Sequence, residues 1–188
     1  MRRLSCSVLV GVLVLAAGAL AEEALACTVT VQPGQSIQAA IAGAQEGAVI
    51  CLGEGSWQEN LKIEKALTLR GQGAQKTVID GIQEGYPVVW VVGVQPIEVK
   101  LEGLKVTGAE GECADWPICA FGALIQGTAQ AEITNSTISE NWIGIELGGT
   151  AQAKITDSTI SKNSRGIGLG GTDHWLHHLW ERVGWHRA

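Results

Sequence analysis

Residues 127–148 read GTAQAEITNSTISENWIGIELG, and residues 149–170 read GTAQAKITDSTISKNSRGIGLG. The two stretches align without a gap at a period of 22 and agree at sixteen positions. Such a spacing indicates a repeat architecture and not a conventional globular core. Each copy holds three short runs of strand-forming residues, in the first Ala131 to Thr134, Thr137 to Ser139 and Gly144 to Leu147, with turn residues at Asn135, Asn141 and Gly148. Within a run the apolar side chains fall two apart, Ala131 with Ile133 and Ile145 with Leu147, so an extended chain carries them on one face. One coil cannot bury that face by itself. Stacked copies can, because each strand then pairs in parallel with its counterpart at roughly 4.8 Å and the inward side chains form continuous columns. The repeat therefore predicts an all-β fold, a single-stranded parallel β-helix of about 22 residues per coil.

The positions at which the copies differ fit the same arrangement. Glu132 becomes Lys154 and Glu140 becomes Lys162, which replaces two like-charge stacks with opposed charges. Asn141 above Asn163 predicts a stacked amide ladder inside a turn. These residues read as scaffold.

Upstream, MRRLSCSVLVGVLVLAAGALA has two arginines, an apolar stretch from Val8 to Leu20 and small residues at Ala19 and Ala21, the pattern of a secretory signal peptide. Cleavage is expected after Ala21 or after Ala26, so residues 1–26 form the leader, and the apolar stretch is shorter than the roughly 20 residues that a retained spanning helix needs. Export places the chain outside the cytoplasm: secreted, periplasmic or at the cell surface. In that oxidising setting the four cysteines left after Cys6 pair by position, Cys27 with Cys51 and Cys113 with Cys119. The C-x5-C spacing fits no zinc signature, and neither a metal site nor a cofactor is expected. A net charge of −6 without a Lys/Arg cluster argues against nucleic acid as a partner. A single Phe and a single Tyr beside 25 glycines suit narrow stacked coils better than a bulky interior.

The mature chain opens with the strand Thr28 to Val31, a Pro33-Gly34 turn and one convincing helix, with Ser36 as N-cap and Ile37, Ala40, Ile41 and Ala44 along one side. A short amphipathic helix there covers the first coil, whose open strand edges would otherwise invite association. Further on, Leu61 and Ile63, then Leu67 and Leu69, alternate inward, and GAEGECADWPICAF from Gly108 to Phe121 interrupts the regular spacing as an excursion.

The segments S-I-Q-A-A-I (36–41), A-V-I-C-L (48–52), G-E-G-S-W-Q-E-N (53–60), L-T-L-R-G-Q-G (67–73) and T-V-I-D-G (77–81) resemble the N-terminal coils of the pectin lyase-like right-handed β-helix superfamily. That superfamily includes pectin methylesterase-like and NosD-like periplasmic copper-accessory proteins. The resemblance spans roughly residues 28–172 and implies a right-handed solenoid over residues 27–172 with a short N-terminal capping helix. Its motifs are coil-forming signatures shared by enzymes and non-enzymes, so it implies a fold more than an activity. The catalytic patterns of its lyases, esterases and epimerases do not carry over: there is no Asp-Pro-His triplet, and Asp80, Asp115, Asp157 and Asp173 are the only aspartates. Arg70 and Glu59 read as structural groups at strand ends and corners. No catalytic residue is expected.

Aromatic residues carry the functional expectation. Flat rings along a groove can stack on sugar rings, and Tyr86, Trp116 and Trp142, in turns or in the excursion, are the expected substrate-binding residues; Trp57 and Trp90 are expected to pack against the cap or under loops. After Gly171 and Thr172 begin a third copy, the pattern breaks. Residues 173–188, DHWLHHLWERVGWHRA, hold all four histidines and three of the seven tryptophans. This tail reads as a reading-frame slip or gene fragment that leaves the solenoid truncated, with a C-terminal cap or a metal site at His174, His177 and His178 as alternatives; an uncapped end would allow end-to-end self-association. The functional expectation is a polysaccharide-binding or envelope-scaffold module without catalysis in the portion present. The alternatives are a truncated lyase-like or esterase-like enzyme and a NosD-like metal-insertion accessory protein.

Overall fold

The computed structural model describes residues 26–111 and 119–170. In chain order the elements are β1 (Val29–Val31), α1 (Ile37–Gly43), β2 (Ala48–Leu52), β3 (Gly55–Gln58), β4 (Leu61–Ile63), β5 (Leu67–Arg70), β6 (Thr77–Asp80), β7 (Val89–Gly93), β8 (Glu98–Glu102), β9 (Lys105–Thr107), β10 (Phe121–Gly127), β11 (Gln130–Thr134), β12 (Thr137–Ser139), β13 (Ile143–Gly149), β14 (Gln152–Thr156), β15 (Thr159–Ser161) and β16 (Arg165–Gly170). They form three parallel sheets. Sheet A has the order β1-β2-β5-β8-β11-β14, sheet B the order β15-β12-β9-β6-β3, and sheet C the order β16-β13-β10-β7-β4. From β2 onward the chain visits A, B and C in turn and returns to A one coil higher, which is the course of a parallel β-helix.

The register shows why these residues make strands. In sheet A, Ile50, Leu69, Leu101, Ile133 and Ile155 are successive partners. In sheet B the sequence of partners is Trp57, Ile79, Val106, Ile138 and Ile160. In sheet C it is Ile63, Val91, Ile125, Leu147 and Leu169. The three columns face one another in a single core, and each fully buried aliphatic side chain contributes about 1.5–3 kcal/mol relative to exposure. Ile133 and Ile138 are buried, whereas their counterparts Ile155 and Ile160 in the last coil are partly exposed, because no further described coil lies above them.

In sheet A the 22-residue step is the one from Ala131 to Ala153. Upstream, Ala48 pairs with Leu67, Leu67 with Val99 and Val99 with Ala131, steps of 19, 32 and 32 residues. The strands keep their register while the surplus enters at corners, residues 81–88 and 108–120 between sheets B and C and residues 94–97 between C and A. The helix has the expected bounds. The Ser36 hydroxyl accepts from the Ala39 amide at 3.1 Å, and the Glu59 carboxylate, one coil away, accepts from the Ile37 and Gln38 amides at 3.0 Å each. Glu59 thus satisfies the first-turn donors that an α-helix leaves open.

Corner chemistry follows the repeat. Asn135 and Asp157, and likewise Glu140 and Lys162, occupy the left-handed region at φ of 50, 49, 61 and 55°. Asn141 forms the expected ladder: its Nδ2 donates to Asn163 Oδ1 at 3.1 Å and to the Ser139 and Val106 carbonyls, while its Oδ1 accepts from the Ala109 amide at 3.0 Å. A second ladder of hydroxyls runs through Ser136 and Ser158, with the Ser136 amide donating to Ser158 Oγ at 3.1 Å. The expected charge pairs are present, Lys154 to Glu132 at 2.7 Å and Lys162 to Glu140 at 3.4 Å. Cys27 and Cys51 form a disulfide. Cys113 lies outside the described residues, and the second expected pairing lies there with it.

Candidate functional site

Alternation along sheet C separates two environments. Val89 and Val91, Ala123 and Ile125, and Ile145 and Leu147 point into the core. The residues between them point outward and lie in register as one row: Lys62 beside Trp90, Trp90 beside Leu124, Leu124 beside Glu146, and Glu146 beside Gly168. Along this row a second apolar cluster of Cys119, Phe121, Leu124 and Ile143 lies apart from the main core, flanked by the partly exposed rings of Trp90 and Trp142. The Trp90 indole donates to Gln126 Oε1 at 2.9 Å, and the Lys62 ammonium sits 5.2 Å from its ring centroid while pairing with Glu64 at 2.8 Å. The outer face therefore offers ring surface, an amide, a cation and a carboxyl in one strip, the mixture that polar ligands with apolar faces require.

Two of the three expected binding residues, Tyr86 and Trp142, lie in B-to-C corners that lead into sheet C. Tyr86 lies in the 81–88 connection from sheet B to sheet C and is half-buried. Asn60 holds that connection, its Oδ1 accepting from the Ile82 and Gln83 amides at 3.0 Å each and its Nδ2 donating to the Pro87 carbonyl at 2.8 Å. Gln58, Glu59, Asn60, Ile82 and Gln83 line an open cleft of about 490 Å³ there. Trp142 occupies the next described B-to-C corner, its amide donating to the Ala109 carbonyl at 2.8 Å. Trp116 lies outside the described residues, in the sequence between β9 and β10. Of the tryptophans expected to pack, Trp57 is buried with its indole donating to the Gln35 carbonyl at 3.0 Å beside the cap, and Trp90 is partly buried against the outer cluster.

Arg70 is a structural cation: its Nε donates to Glu102 at 2.7 Å along sheet A. Among the described residues no group of three His, Cys, Asp or Glu could hold a metal ion, and no helix is long and apolar enough to cross a membrane.

Sequence reading did not single out Lys62, Gln126, Glu146 or Arg165. Glu146 stands in I-E-L, where strand alternation implies an outward, solvated carboxylate, yet it is only 5% exposed. Burial pushes its carboxyl above the ordinary carboxylate range, against the opposing pull of Arg165. The sequence did contain a signal, because the second copy has Gly168 where the first has Glu146. A Cβ built at 168 would collide with Glu146 Oε2, so the glycine provides the space in which the carboxyl lies. Of the six differences between the copies, the changes at 132, 135 and 140 keep the scaffold, through ion pairs and left-handed corners. The other three, Trp142 to Ser164, Ile143 to Arg165 and Glu146 to Gly168, fall on sheet C or its leading corner.

No protein-family model matches the sequence, and no curated protein matches it. Among solved structures, the chain is similar to an alginate lyase from Paenibacillus sp. str. FPU-7, with a TM-score of 0.59 and 20% identity over 78% of this chain and 52% of that one. It is also similar to the pectin methylesterase PemA from Erwinia chrysanthemi, with a TM-score of 0.51 and 15% identity over 72% of this chain and 49% of that one. The chain thus spans about half the length of each. At these identities the likeness concerns the fold alone, a right-handed parallel β-helix.

Proposed function

We propose that this chain is a polysaccharide-binding β-helix module of a secreted or surface-located protein, with its ligand lying along the outer face of sheet C and the adjoining B-to-C corners. The observation that carries the reading is where the two near-identical copies diverge. Positions set by stacking are conserved between them or exchanged for complementary charge, whereas Trp142, Ile143 and Glu146 change on one face, beside Trp90. Apart from Gly168, which leaves room for the Glu146 carboxyl, stacking gives no reason for these three changes. Two further facts support the reading. The similar solved structures are an alginate lyase and a pectin methylesterase, and the Cys27–Cys51 disulfide suits an oxidising compartment. Among the described residues no pair of carboxyls is positioned across the strip for acid and base work, which favours binding over hydrolysis of a glycosidic bond.

The test is binding of the purified chain to a panel of soluble glycans, followed by Trp142→Ala and Tyr86→Ala. Binding to at least one glycan class, weakened about tenfold by either substitution, the equivalent of about 1.4 kcal/mol, while the melting temperature stays near that of the parent, is the expected result. Release of product from any bound glycan would favour a polysaccharide-active enzyme instead.

A further inference from the structure

The two ends of the described solenoid are not alike. At the first coil, α1 lays Ile37, Ile41 and Ala44 on the core beside Val31, and all four are buried. At the last coil, β14, β15 and β16 each pair with a strand on one side only. The core columns stop there on Ile155, Ile160, Ile167 and Leu169, which are partly exposed. The corners show the same deficit. The amides of Leu104 and Ala109 donate to the side chains of Ser136 and Asn141, and the amides of Ser136 and Asn141 donate in turn to Ser158 and Asn163. The amides of Ser158 and Asn163 have no acceptor among the described residues. Open strand edges beside an apolar end form a surface on which another chain could add.

Residues 171–188 follow β16 directly and lie outside the described residues. Their sequence does not supply another coil: one period beyond Ile155 and Ile160 stand His177 and Arg182, where the columns need apolar side chains. The apolar residues instead keep helical spacing. At about 100° per residue, Trp175, Leu176, Leu179, Trp180 and Val183 fall within an arc of about 140°, and the intervening histidines, glutamate and arginine fall outside it. Asp173 stands at the N-cap position of this stretch and Gly184 just past its end. We propose that residues 174–183 form an amphipathic helix that closes the C-terminal end of the solenoid, with the Leu179 side of the helix seated on Ile155, Ile160, Ile167 and Leu169. A helix of that length is about 15 Å long, close to the roughly 16 Å of a five-residue strand such as β14. The first coil is closed in the same manner by α1. So short a helix is marginal in water by itself, and its attachment at Gly170 holds it beside the apolar end that stabilises it. A second copy fits that end less well. The last coil carries Lys154, Lys162 and Arg165 against one carboxylate, Asp157, so two such ends meet with like charge.

The experiment compares the full chain with Leu179→Lys and His178→Lys, which place the same helix-compatible side chain inside and outside the apolar arc. Amide hydrogen exchange followed by NMR reads Gln152, Thr159 and Arg165, whose amides donate to the preceding coil and stay protected only while the last coil remains docked. The expected result is that these three amides, and those of residues 174–183, exchange about tenfold or more faster in Leu179→Lys than in the parent and at the parent rate in His178→Lys. The amides of β5 and β8 check the fold, and Leu179→Ala is read in place of Leu179→Lys should they lose protection too. Equal rates in the parent and in the Leu179 variant overturn the proposal, as do equal losses in the two lysine variants. Protection that rises with protein concentration, together with a dimer in sedimentation, also overturns it and assigns the end to a second copy.

Discussion

Replacing Asn141 by alanine tests the stacking directly. The side chain makes four hydrogen bonds, one accepted from the Ala109 amide and three donated to Val106, Ser139 and Asn163. Ala109, Val106 and Ser139 are buried at 2, 1 and 4% exposure, so alanine leaves their backbone groups unsatisfied where water cannot replace the lost partner. Each such group costs on the order of 1–3 kcal/mol, and partial relaxation brings the sum to about 3–5 kcal/mol. Asn163, the same residue one coil higher, donates to the Ile138 carbonyl at 3.0 Å and accepts from the Asn141 amide at 3.0 Å, but its own side chain is partly exposed and water can reach it, so Asn163→Ala should cost about 1–3 kcal/mol, less than Asn141→Ala. Urea unfolding of both variants, followed by circular dichroism, measures the difference. Asn141→Asp is the control that keeps the shape: it retains the acceptor for Ala109 but turns a second oxygen toward three oxygens, and it should destabilise at least as much as alanine at neutral pH. Equal costs at 141 and 163, or a cost below about 1 kcal/mol at 141, would refute the claim that buried rung-to-rung amide contacts hold these corners.

Glu59→Ala removes the acceptor for the Ile37 and Gln38 amides and is expected to lower stability by about 1–2 kcal/mol in thermal or chemical unfolding. Gly168→Ala places a Cβ against Glu146 Oε2; it should destabilise by about 1–3 kcal/mol, and Glu146→Ala in the same chain should recover most of that loss, whereas additive losses in the double-variant cycle would contradict the contact. Hydrogen bonds from Lys154 and then Lys100 hold the Glu132 carboxyl below its ordinary range. Its stabilising contribution is therefore present above the ordinary carboxylate range and is lost as pH falls through the depressed value. The drop of unfolding midpoint in acid should be shallower in Glu132→Gln than in the parent chain, and parallel curves would count against the ion-pair ladder.

How legible each part was depended on the range of the forces involved. The period of 22 between residues 127 and 170 dictated parallel stacking, because identical residues one coil apart meet whenever the chain returns to the same side, so the columns, the Asn141 to Asn163 ladder and the Lys154 to Glu132 pair could all be read from residue spacing alone. The helix at Ile37–Gly43 was equally readable, since its N-cap and apolar stripe are local. The partner of Glu59 was not, nor the hydrogen bond of Trp90 to Gln126, because neither pair lies within the two matched copies whose spacing can be read. The same holds for the coil steps of 19 and 32 residues, which depend on how much chain each corner absorbs. Glu146 marks the boundary most sharply: alternation determined that it points out of the core, but only the tertiary structure, with Leu124 on one side and Gly168 under its carboxyl on the other, leaves it 5% exposed. Which side of a strand a residue takes is local geometry, whereas its solvation depends on what distant chain segments bring over it.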